Sequence, residues 1–140
     1  MFIRFVCNRT HPNIDAELGM FAARDYVDFS QQKGSIQRAH EEAFYWFSAD
    51  GGGGLTYPRL KGKARTADVK ESLFWFREDA KFFHREAGSV IVRARELASV
   101  LTLAGCEIRE IQTKSPGKIV WEDSRQVLAL PDSKKVPRAF

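Results

Sequence analysis

The chain has 140 residues, of which 44% are hydrophobic and 29% charged, and it carries a net charge of +4 at pH 7. This length and mixture predict one folded domain that buries roughly 65–70% of its unfolded surface, and they exclude an intrinsically disordered chain. The chain contains no apolar run near 18 residues, and its opening (MFIRFV) is too short for a signal peptide. It has only two cysteines. We therefore expect a reduced, cytoplasmic protein with no membrane partner.

The first half of the chain predicts one strand followed by two helices. Residues Phe2 to Cys7 are apolar on both faces, which is typical of a strand inside a sheet. One face carries Phe2, Val6 and the aliphatic part of Arg4. A helix is expected to begin at Thr10-His11-Pro12, because proline is tolerated at the first helical position, and to end near Gly34. Ser35 then caps a second helix.

The second half predicts a strand at Glu71–Phe76 and a long helix ending at Gly105. Three strands follow, with Gly117 supplying the positive φ of a type II turn. Their ranges are Cys106–Thr113, where irregular alternation indicates a bulge, Lys118–Glu122 and Gln126–Leu130. The order β-α-α-β-α-β-β-β predicts an α+β domain over residues 1–131. Its sheet is expected to have four or five mostly antiparallel strands, with the long helix packed on one face.

Two basic segments lie outside the predicted sheet and helices. Residues 51–70 open with four glycines and form a predicted flexible loop. Within them, residues 57–70 carry five basic side chains and one acidic side chain, Asp68. Their net charge of +4 equals that of the whole chain. Residues 132–140 form a basic C-terminal tail. One alternative function is therefore association with nucleic acid, through Arg59, Lys61, Lys63 and Arg65, although a charge excess this modest does not favour it.

A second alternative is a small enzyme with an acidic site at Glu122 and Asp123. A carboxylate beside an aromatic wall such as Trp121 can have a raised pKa and act as a general acid, and His84 could serve as the base. The competing interpretation is that Asp123 starts a hairpin turn while Glu122 faces water. The three histidines have no ligand spacing, so we expect neither a metal nor another cofactor.

The aromatic side chains favour a different function. More aromatic surface is present than one small core accommodates, and neighbouring rings such as Tyr45 and Trp46 cannot all face inward. Surplus aromatic surface commonly marks an interface with another protein or with a second copy of the chain. We therefore expect a non-enzymatic protein-interaction module whose partner is another protein or a second copy of the chain in a homodimer, with the binding residues Tyr45, Trp46, Phe82 and Trp121.

Several short motifs resemble a known family. They are the opening Met1–Phe5, the pairs Trp46-Phe47 and Trp75-Phe76, and the pattern P-G-x-x-V-x-E-D-x-x-Q-V that starts at Pro116. Together they resemble a family of small, single-domain bacterial proteins whose function is not established. Lys118 and Trp121 depart from the family pattern. The resemblance implies a packing role for the paired aromatics and implies no activity, substrate or cofactor.

Overall fold

A computed structural model describes residues 1–48, 70–78, 90–132 and 136–140. These residues form six strands, three α-helices and two 3₁₀ turns. The strands are β1 (Phe2–Thr10), β2 (Glu17–Gly19), β3 (Leu73–Arg77), β4 (Arg109–Thr113), β5 (Lys118–Glu122) and β6 (Gln126–Leu130). The helices are α1 (Met20–Ala23), α2 (Gly34–Tyr45) and α3 (Val90–Leu103), and the 3₁₀ turns are Arg24–Tyr26 and Phe29–Gln31.

Strand β1 is the centre of an open, antiparallel sheet. Its partner along one edge is β4, and its other edge is shared by β3, which pairs at Phe2 and Ile3, and β2, which pairs from Val6 onward. Beyond β3 the order continues through β6 to β5. The predicted α+β fold and antiparallel sheet are confirmed. The sheet has six strands rather than four or five, because residues predicted as helix form β2.

The predicted helix from Thr10 is wrong over most of its length. Strand β1 continues to Thr10, and a loop closed by the hydrogen bond from His11 N to Ala16 O (2.7 Å) returns the chain as β2. Helix α1 is only four residues long. The segment predicted as helix instead buries Ala16 and Leu18 in the cores around the sheet, since pairing with the free edge of β1 outweighs a weak local helix preference.

Helices α2 and α3 cover one face of the sheet, as predicted for the long helix. Ile3, Phe5 and Phe76 from the sheet meet Ile91, Ala94, Leu97 and Leu101 of α3 in one core. Trp46 and Phe47 are both buried there, although helical spacing would bury only one of them. Helix α2 ends at Tyr45, and Phe47 N bonds Phe44 O in a tighter turn. Among the described helices, none combines the length and the apolar surface that crossing a bilayer requires.

A second core lies on the opposite face of the sheet. Val6, Trp75, Ile111 and Val127 are buried there, and the described part of the C-terminal tail packs on it. Ala139 N donates to a carboxylate oxygen of Glu17 at 2.9 Å, and Arg138 pairs with Asp15. Residues 136–140, predicted as a basic tail, are therefore attached to the sheet by specific contacts.

The connection between β4 and β5 constrains the shape of the sheet. Strands β4 and β5 lie at its opposite edges, yet residues 114–117 alone connect them. Five Cα steps span at most about 18 Å, whereas four strand spacings in a flat sheet amount to about 19 Å before any offset along the strands. The sheet therefore has to twist or curve enough to bring its two edges within reach of this connection.

Candidate functional site

A cavity lies at a fork in the sheet, next to the helices. Strand β3 leaves β1 after the pair Ile3–Phe76, and β2 joins the same edge of β1 only at Val6. Arg4 and Phe5 lie on β1 between these points, and both line the cavity. A cavity of about 650 Å³, partly open to solvent, lies at this fork and continues beneath α1 and the end of α2. The divergence of two strands therefore positions the site.

Six phenylalanine rings line the cavity wall. Phe21 stands edge-on to Phe47 with ring centres 5.2 Å apart, and Phe74 stands edge-on to Phe76 at 5.0 Å. Such edge-to-face pairs fix the orientation of each ring, so the wall has a defined shape. The rings that line the cavity are Phe5, Phe21, Phe44, Phe47, Phe74 and Phe76.

The charged side chains that line the cavity in the described chain are all basic. Arg4, Arg24 and Lys70 line it together with His11, and the lining residues of the described chain include neither aspartate nor glutamate. Cations on low-dielectric walls focus a positive potential into the space between them. The cavity is therefore electrostatically suited to an anion.

Arg4 is the most deeply buried of these cations. Its side chain is 5% exposed, and one Nη donates to the backbone oxygen of Glu17 at 2.7 Å. Burial lowers its pKa to about 10, and the negative charge of Glu17 offsets part of this effect, so the guanidinium remains charged at neutral pH. Within the described chain, no carboxylate oxygen lies within the 4.0 Å of a salt bridge to it. A buried charge that lacks a direct ion pair is costly.

A ring stack holds Arg24 in place at the end of α1. Its guanidinium carbon lies 3.2 Å from the centre of the Phe44 ring, and its Nε donates to Nε2 of His40 at 2.9 Å. His40 is buried and stacks on Phe29 with ring centres 3.9 Å apart. Burial lowers the pKa of His40, and the charge of Arg24 lowers it further, while Glu41 acts in the opposite direction.

We expect mild acid to destabilise the protein through this stack. The folded-state pKa of His40 lies below its ordinary value of 6.5, so the unfolded chain binds the proton more readily. The free energy of unfolding therefore falls as the pH drops through 6.5 and below. Urea denaturation at pH 7.5 and pH 5 measures this loss, and His40→Gln, which keeps an acceptor for Arg24 but does not titrate, should show a smaller loss.

His11 provides the internal comparison for that measurement. Its pKa is also lowered, by burial and then by the charge of Arg4, so it acts in the same direction over the same pH range. The variant His40→Gln should keep the share of the pH dependence that comes from His11, and adding His11→Gln should reduce it further. An unchanged pH dependence in the double variant would contradict this assignment.

At the predicted acidic site, the side chain of Asp123 stabilises a turn. One carboxylate oxygen of Asp123 accepts from the backbone N–H groups of Arg125 and Gln126 at 2.7 and 2.9 Å, and the other accepts from the Gln126 side chain at 2.9 Å. Glu122 is exposed and pairs with Arg77, while Trp121 is half-buried on β5. These contacts follow the turn interpretation.

The remaining predicted site residues fall into two groups. Trp46 is 8% exposed in the helix-side core, whereas its neighbour Tyr45 is 57% exposed. The others lie outside the described residues: His84, Phe82 and the basic side chains Arg59, Lys61, Lys63 and Arg65. In the part of the chain that the structure describes, no three metal-ligating side chains come together.

The cavity residues did not stand out in the sequence. The alternation of β1 assigns only the aliphatic part of Arg4 to a buried face, and His11 is placed at a helix start. One signal was available: Arg4 is a full charge inside an otherwise apolar strand, which is rare without a partner or a function. Its significance depends on the fork, which pairing between distant strands creates.

Comparison of the chain with family models, with curated proteins and with solved structures finds no match. The resemblance to small bacterial proteins therefore stays a prediction, and the function has to be argued from the site itself.

Proposed function

We propose that this protein is a non-enzymatic binding module that holds a small, largely apolar molecule in the cavity at the fork. The observation that carries the proposal is the cavity of about 650 Å³ lined by six phenylalanine rings. Ligand sites in proteins typically measure roughly 300–1,000 Å³ and combine apolar walls with a few polar groups. This combination describes the cavity.

The structure favours the binding of a small ligand in the cavity over the predicted interface with another protein. That prediction depended on a surplus of exposed rings, but Trp46, Trp75, Phe5, Phe47 and Phe76 are all buried. Many of the rings that the core cannot fully cover face the cavity instead of outer solvent. The protein-interaction and nucleic-acid functions stay predictions, and exposed aromatic side chains on which an interface could depend include Tyr26, Tyr45 and Phe140.

A neutral dimethylaminonaphthalene dye tests the proposal, because its fluorescence shifts to shorter wavelength in an apolar site. We expect saturable binding of one dye per chain. Ala22 lines the cavity at its exposed margin, so Ala22→Trp should occupy part of the space and weaken binding by about tenfold or more, a loss of roughly 1.4 kcal/mol.

The matched control is Ser99→Trp, which adds the same ring at an exposed position on α3, outside the cavity lining. It should bind the dye as the unmodified chain does. Unsaturable binding, or equal affinity in the two tryptophan variants, would contradict the proposed site.

A further inference from the structure

Building on the proposed binding function, we infer that the ligand is a monocarboxylate with an apolar or aromatic body, and that Arg4 binds its carboxylate. The inference names a ligand class and a residue that binds its head group. It depends on the geometry of Arg4 and on the composition of the cavity wall.

Arg4 lines the cavity and has hydrogen-bonding capacity that the described residues do not use. A guanidinium carries five N–H donors, and among the described residues Arg4 makes one hydrogen bond, to Glu17 O. The side chain lines the cavity and is more than nine-tenths buried. In such a low-dielectric site, a carboxylate can accept two parallel bonds from one guanidinium, which is the strongest pairing available to it.

The position of Arg4 is set before any ligand arrives. Arg4 pairs with Ile111 of β4 in a regular register, and its Nη is anchored on the carbonyl of Glu17. Gly19 packs beside the same Nη, since a Cβ at this position would make an ordinary van der Waals contact with it at 3.7 Å. A preorganised donor loses little entropy when it binds, so its contribution to affinity is retained.

The acid whose charge acts on Arg4 is Glu17, and the two residues form no salt bridge in the described chain. One carboxylate oxygen of Glu17 accepts the N–H of Ala139 at 2.9 Å, the other is buried without a hydrogen-bond partner among the described residues, and the guanidinium donates to the backbone oxygen of Glu17. The charge of Glu17 therefore offsets only part of the effect of burial on Arg4. A ligand carboxylate would add a direct ion pair, while Lys70, which is exposed and lines the cavity, would attract the anion from solvent.

The balance of polar and apolar groups favours one carboxylate over a more highly charged head group. One buried guanidinium fork matches one planar carboxylate, and most of the remaining wall consists of hydrocarbon side chains. A phosphate dianion would need further buried donors to offset the cost of leaving water. The apolar wall instead suits the body of an organic acid.

Calorimetric titration of the full chain with naphthoic acid and with its neutral amide tests the inference. The two probes share a ring system and differ in charge. We expect the acid to bind at least about tenfold more tightly than the amide. Arg4→Met, which keeps an apolar side chain of similar length, should remove that difference while the amide still binds. Arg95→Met, on the exposed face of α3, should preserve it, and circular dichroism verifies that both variants fold.

The outcomes distinguish failure of the carboxylate inference from failure of the proposed binding function. Equal binding of acid and amide by the unmodified chain overturns the carboxylate inference and leaves the proposed binding function standing. A preference for the acid that survives in Arg4→Met assigns the discrimination to Arg24 or Lys70 and overturns the role of Arg4. If neither naphthalene probe nor the neutral dye binds, the proposed function itself is wrong. The comparison of acid with amide needs no variant, so it remains decisive if Arg4→Met does not fold.

Discussion

Replacing Gly117 with alanine is expected to lower the free energy of unfolding by about 2–5 kcal/mol. Gly117 lies in the turn before β5 and has a φ of 112°. A Cβ at this position would lie 2.0 Å from the backbone oxygen of Leu130, at the end of the neighbouring strand β6. Two costs therefore combine: the left-handed backbone strain of an L-residue and a clash that only a shift of the backbone can relieve.

Gly105→Ala separates these two costs. Gly105 also has a positive φ, of 96°, but a Cβ there would have no neighbouring atom within 4 Å. It ends α3 in a Schellman motif, with Gly105 N bonded to Thr102 O and Cys106 N bonded to Leu101 O. We expect a loss of about 1–2 kcal/mol from backbone strain alone. Urea denaturation measures both variants, and equal losses would show that the clash at Gly117 costs nothing.

Leu101→Ala is the second substitution with a large expected effect. Leu101 is 0% exposed and belongs to the core between α3 and the sheet. Truncating a fully buried leucine removes apolar contacts and leaves a void, which typically costs about 2–5 kcal/mol. The free energy of unfolding from urea denaturation should fall by that amount.

Leu103→Ala makes the same chemical change two residues later in the same helix. Leu103 is 72% exposed, so its truncation should change the free energy of unfolding by no more than about 0.5 kcal/mol. Both variants gain the same helix preference of alanine, and their difference therefore reports burial alone. Similar losses in the two variants would contradict the packing of α3 described above.

The parts of the fold that were predicted correctly depend on local signals. Strands β5 and β6 have the predicted bounds, and Gly105 and Gly117 adopt the positive φ that their positions required. The alternation in β1 correctly divided Ile3 and Phe5 from Phe2 and Val6. In each case the period of two in a strand, or the backbone freedom of glycine, acts within a few residues.

The errors arose where distant segments decide the structure. The irregular spacing of Ile108 and Ile111 suggested a bulge, but β4 begins at Arg109 and pairs regularly with β1. The register shift lies instead in β5, between Ile119 and Trp121. Similarly, Glu17–Gly19 became a strand because an edge of β1 was open to it. A strand partner is not encoded in the neighbouring residues, so periodicity alone could not reveal it.

The candidate site could not be predicted from local sequence patterns, for the same reason. The charge of Arg4, the rings at positions 21, 44, 47, 74 and 76, and the turn at Gly117 could all be read along the chain as residue types. Their meeting around one cavity follows from the fork between β2 and β3, which forms because two strands share one edge of β1. The sequence by itself determined the fold class, the two helices that cover the sheet and the glycine turns, since hydrophobic period and backbone sterics act locally. Only the tertiary structure decided that a buried cation would face an apolar cavity, because strand pairing joins residues that lie far apart in the chain.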